Sequence, residues 1–131
     1  MANGRERNGM KFVPLAGDLS QGATIDRASA GERVLIPASK IDVGEIVFRV
    51  RGDIGNIGIL ADDLLIVEQC KRGHAATAEL VVVLVNGHAF IGHWWKKRGG
   101  RTLTDDGLAV IIEGEAMEIL GAVNVIVRMT S

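Results

Sequence analysis

Residues 45–69 read EIVFRVRGDIGNIGILADDLLIVEQ, and the fold turns on how this stretch is read. It opens as a strand, with Ile46, Phe48 and Val50 on one face and Val47, Arg49 and Arg51 on the other. Glycines at 52, 55 and 58 interrupt that alternation and mark a tight, irregular connection. Asp62-Asp63 then leads into a second strand, Leu64-Leu65-Ile66-Val67. Two short strands joined by a glycine-rich turn predict a sheet rather than a helical bundle.

Working outward, the same vocabulary recurs. Phe12 to Leu15 reads as an edge strand, where Pro14 is tolerated, and 33–37 as another short strand. Residues 16–22 read as a surface turn, 23–32 as a small-polar loop, and 71–78 as a further loop. Glu79 to Val85 is apolar on both faces and is expected to be buried on both. Asn86-Gly87 is a type I′ hairpin signal, because both residues accept positive φ. The return strand is 88–95, followed by strands at 101–104, 108–112 and 117–128, with a turn at 105–107. Many short strands, regular turns and no long helical pattern predict a mainly β domain. Residues 1–11 are expected to form a mobile arm and 12–131 a single domain.

Composition narrows the function. The chain has 131 residues, with 15 basic and 16 acidic side chains and a net charge of −1. A balanced charge argues against binding nucleic acid through its phosphates. The single cysteine, Cys70, fits a reducing cytosol. No apolar core of a signal peptide follows the polar start, and the longest apolar runs are too short to span a bilayer. A cytoplasmic location is expected.

The segment from Val50 to Val67 resembles the nucleophile-bearing segment of the LexA and UmuD family of self-cleaving serine–lysine peptidases. That family carries Gly-Asp-Ser-Met after a strand, then Gly-Ile, then Gly-Asp opening the next strand. Gly52-Asp53, Gly58-Ile59 and 63–67 match. The serine does not: Ile54 stands in its place, and the interval from Gly52 to Gly58 is one residue short. In the family the lysine follows the hairpin in a Thr-Val-Lys-Arg pattern, where this chain has Phe90-Ile91-Gly92-His93, so Gly92 falls at the base position. The family's cleavage segment is matched by Pro14, Leu15, Gly17 and Gly22, which makes Gln21-Gly22 the vestigial scissile bond. The resemblance covers about residues 12–128 and implies a LexA/signal-peptidase-like β fold of short, strongly bent sheets.

A serine–lysine dyad needs a hydroxyl within hydrogen-bond reach of a desolvated, neutral amine. Lys96 lies four residues beyond Gly92, about 13 Å along an ideal strand, and no serine lies between Ser39 and Ser131. The resemblance therefore implies a pseudo-peptidase, not an enzyme, that needs no cofactor. It implies a homodimer, with the C-terminal strand as a candidate interface through Val123, Val125, Val127 and Arg128. It also implies control in a phage, mobile element or DNA-damage (SOS) circuit. The implied partners are an active family member, a recombinase filament or a DNA polymerase. LexA-like repressors carry a DNA-binding domain ahead of the peptidase domain; in layout this chain resembles the stand-alone UmuD type.

Two rival readings stand beside this one. A peptidase with a rearranged site would require another nucleophile and neutral base within about 3 Å. A small β-barrel could bind single-stranded nucleic acid through Trp94 or Trp95 and the basic turn Lys96-Lys97-Arg98. Adjacent strand residues face opposite ways, so one tryptophan is expected in the core and the other partly exposed. His74, His88 and His93 match no compact zinc spacing. Asp62-Asp63 and Asp105-Asp106 read as turn residues rather than as catalytic or metal pairs.

Overall fold

The architecture is that of a computed structural model, which describes residues 6–7, 9–69, 77–97, 100–114 and 116–128. The protein is mainly β. Its strands are β1 (Glu6–Arg7), β2 (Met10–Leu19), β3 (Ala23–Thr24), β4 (Arg33–Pro37), β5 (Glu45–Val50), β6 (Leu64–Glu68), β7 (Leu80–Val85), β8 (His88–Lys97), β9 (Gly100–Thr104), β10 (Val110–Glu113) and β11 (Glu118–Val127). They form one sheet in the order β1-β2-β5-β6-β11-β7-β8-β9-β10, with β4 added on β2 and β3 on β8.

The hairpin of β5 and β6 pairs as its alternation requires, with Phe48 opposite Leu65. Phe48, Val50, Leu65 and Val67 join one core cluster with Val82, Ala89 and Ile91. Val47, Leu64 and Ile66 face the other way, into a second cluster with Leu15, Ile36 and Val127. A third cluster holds Val81, Val83, Trp94, Leu103, Met117 and Ile119. Val81, Val82 and Val83 are all fully buried, so β7 is covered on both faces, as its unbroken apolar run implies. Asn86 (φ 51°) and Gly87 (φ 80°) make the hairpin turn between β7 and β8.

β2 differs from the sequence expectation. The strand expected at Phe12–Leu15 is ten residues long and is not an edge. It pairs antiparallel with β4 through Pro14, then changes partner and runs parallel to β5 from Leu15 to Leu19. Pro14, which has no N–H to donate, stands at that changeover. Ahead of β2, Glu6 pairs with Lys11 and Arg7 with Met10. Gly17 permits the bend: its φ is +153°, and a Cβ there would stand 2.8 Å from the Asp26 carbonyl oxygen. Among the described residues no helix is long and apolar enough to cross a membrane.

Candidate functional site

β8 offers a binding edge. Its first half pairs with β7 on one side, but β9 covers its other side only from His93 onward. The backbone of 88–91 would be unpaired there were it not for residues 20–24. Ala23 pairs with Ala89 and Thr24 with His88. The Gly22 N–H donates to the Ala89 carbonyl at 2.7 Å. His88 Nδ1 lies 3.2 Å from the Gly22 carbonyl oxygen.

Gln21 completes the pairing with its side chain. Its Nε2 donates to the Ile91 carbonyl at 2.8 Å, and the Ile91 N–H donates to its Oε1 at 2.7 Å. A carboxamide has the donor and acceptor of a peptide group. Gln21 therefore satisfies both backbone groups of Ile91 as a neighbouring strand would. Leu19, entirely buried, anchors the start of the segment. Its carbonyl accepts from the Arg51 N–H, and Ser20 Oγ donates to the Arg51 carbonyl. Gly22 has φ +79°, which explains a glycine at this turn irrespective of any scissile bond.

Ile54 and Gly92 lie on opposite sides of β8. Ile54 is buried in the cluster that includes Ile91, and its backbone bonds to Ile59 in both directions. A Cβ at Gly92 would point the other way, 2.8 Å from Leu103 Cγ, 2.8 Å from the Thr104 carbonyl oxygen and 2.9 Å from Ile111 Cδ1. The space beside Gly92 is thus filled by β9 and β10, and glycine is what the packing admits. Lys96 is exposed farther along β8, opposite Arg101.

The charged residues nearby serve architecture. Asp18 is nearly fully buried and accepts from Arg49 Nε (3.0 Å) and Arg51 Nε (3.0 Å), while Arg49 also reaches Glu32 (3.2 Å). Burial pushes the Asp18 carboxyl up, but its hydrogen bonds, from Arg49 foremost, outweigh that and hold it below the usual carboxylate range. Asp63 is likewise buried and takes a bidentate pair from Arg128 at 2.9 and 2.8 Å, with the Leu60 N–H as a further donor. Arg128, a candidate interface residue, is therefore engaged within its own domain. Val127 is buried, Val123 and Val125 are half-buried, and β11 has β6 on one edge and β7 on the other.

Of the candidate histidines, His74 lies outside the described residues, as do Cys70 and Arg98. His88 touches the 20–24 segment. His93 Nε2 is 2.7 Å from Asp106 Oδ1 and its Nδ1 3.0 Å from the Ala78 carbonyl. Both partners are acceptors, so a protonated ring can donate from both nitrogens at once. Burial opposes that charge, but Asp106 and the Ala78 carbonyl outweigh it and the His93 pKa is raised. Among the described residues no group of three or more His, Cys, Asp or Glu side chains could hold a metal ion. Trp94 is buried, and Trp95 is half-buried with its indole N–H given to Thr104 Oγ1 at 2.8 Å.

The Gln21 clamp and the crowding at Gly92 depend on long-range pairing, and neither had a local sequence signal. Compared with known proteins, the chain matches no family model and no curated sequence.

Proposed function

We propose that the chain is a non-proteolytic, LexA/UmuD-like domain that acts as a protein-interaction module and keeps its own cleavage-like segment docked on β8. The observation that carries this reading is the Gln21 clamp on Ile91 together with the closed space beside Gly92. A protease must present a scissile carbonyl to a nucleophile and a neutral base. Here the residue before the equivalent bond is tied by its side chain to strand backbone, an isoleucine stands at the nucleophile position, and the base position admits no side chain. Segment docking then has a structural or regulatory outcome instead of a chemical one.

The reading places the protein in the cytoplasm, as a homodimer or as the partner of an active relative, a recombinase filament or a polymerase in phage, mobile-element or DNA-damage control. The doubly flanked β11 directs any such contact to side-chain faces, among them Ile126, rather than to a strand edge. The test is incubation of the purified protein alone, at alkaline pH, and with an activated recombinase filament, followed by intact-mass measurement. A single 14.0 kDa species is expected throughout. Fragments ending at Gln21 and beginning at Gly22 would overturn the reading.

A further inference from the structure

We propose that the edge of β10 that has no strand partner among the described residues, with the groove beside it, binds an extended peptide segment in which basic side chains alternate with apolar ones. This surface lies away from the docked 20–24 segment and does not rest on the LexA/UmuD-like reading.

The two ends of the sheet are built differently. One end carries β1, two charged residues, and β4, which begins with Arg33 and finishes on Pro37. Charges and proline are the usual means of keeping an edge from pairing with another chain. The other end is β10, Val-Ile-Ile-Glu, whose sole strand partner among the described residues is β9. Its one irregularity is a register shift between Val110 and Ile112. Val110 is 56% exposed and Leu108, just before it, 66%.

Leu108 is held in that position. Its φ is +67°, a conformation that disfavours any residue with a Cβ. The turn that imposes it is closed by the Leu108 N–H on the Asp105 carbonyl, the Asp105 N–H on the Ala109 carbonyl and the Ala109 N–H on Asp105 Oδ1. The exposed side chain is thereby fixed at the rim of a pocket of about 430 Å³ lined by Trp95, Thr102, Thr104, Leu108, Val110 and Glu113. The Trp95 N–H is already satisfied by Thr104, so the indole offers the groove its apolar face.

Charge selects the occupant. Trp95, Thr102 and Glu113 form one cross-strand row, which puts an exposed carboxylate at one end of the groove. Asp105, whose carboxylate accepts from the Ala109 N–H, and Asp106, which pairs with His93 at 2.7 Å, are engaged within the turn that precedes Leu108. An exposed carboxylate beside an apolar groove suits a strand whose apolar side chains enter the groove and whose lysine or arginine reaches Glu113, with its backbone pairing to β10.

The probe is acetyl-Lys-Val-Lys-Val-Lys-amide, compared with the same peptide carrying glutamates, titrated into the full chain and followed by indole fluorescence and by amide exchange at 110–113. The basic peptide should bind, protect the β10 amides and weaken as salt rises, while the acidic peptide should not bind. Leu108→Gly should weaken the basic peptide by about tenfold while the melting temperature holds or rises, because glycine relieves the positive φ as it removes the contact. Glu113→Lys should weaken the basic peptide and admit the acidic one. Equal affinity for both peptides, no binding of either, or unchanged affinity in Leu108→Gly would overturn the proposal. So would a wild-type dimer that Val110→Lys converts to monomer, since a second copy would then be the occupant of the edge.

Discussion

Gln21 performs with one side chain what a strand performs with its backbone. Replacing it with alanine leaves the Ile91 N–H and carbonyl without partners in a half-buried setting. Gln21→Ala should therefore destabilise the fold by about 1–3 kcal/mol, measured by chemical denaturation. Amide exchange at Ile91 should quicken in the same variant more than exchange at Val82, in the middle of β7. Gly92 is the complementary case. A methyl group there meets Leu103, the Thr104 carbonyl and Ile111 at under 3 Å, and the backbone neighbour cannot swing away. Gly92→Ala should cost about 1–3 kcal/mol through overpacking. Introducing serine at 54 and lysine at 92 together should yield a destabilised protein without cleavage, since the two side chains would enter opposite sides of β8.

Elements in this molecule are joined at their ends by ion pairs whose titration can be followed. His93 ties β8 to the 105–107 turn and to the Ala78 carbonyl ahead of β7, and that turn is fastened in turn to Asn56. A raised histidine pKa means that the folded state holds its proton more tightly than the unfolded chain. The stabilisation is complete below the unfolded pKa, near 6.5, and is lost as pH rises through the folded value. The wild-type melting temperature should therefore fall over that interval relative to His93→Gln, which has no proton to lose. Asp63 behaves with the opposite sign. Its hydrogen bonds from Arg128, which outweigh burial, depress its pKa, so its contribution is present above the unfolded pKa, near 3.8, and disappears as pH falls through the folded value. Acid unfolding should begin at a higher pH when Arg128 is replaced by methionine, because that change removes the partner that keeps the carboxylate charged.

For the molecule as a whole, the legible parts of the sequence were those with local period. The face alternation of 46–51, the two-sided burial of 81–83 and the Asn86-Gly87 turn can all be read without knowing any distant neighbour. What could not be read was set by residues far apart in the chain. The parallel pairing of β2 with β5 joins strands some 30 residues apart, and no periodicity announces it. Gly92 looks like a bare position in a strand until β9 is laid against it, and Gln21 looks like a loop residue until Ile91 lies beside it. Leu108 was expected inside a strand, but the Asp105 turn holds it in the left-handed region just before β10. Only the coarse class was available from pattern alone. The candidate site emerged from pairing.

Hydrogen exchange at Gly22 and Ile91 in the intact protein, resolved by residue, tests permanent docking of the 20–24 segment most directly. The account predicts that both amides are protected to nearly the same degree as the β7 core. Exchange at Gly22 and Ile91 close to the rate of an unstructured peptide, with β7 still protected, would contradict it.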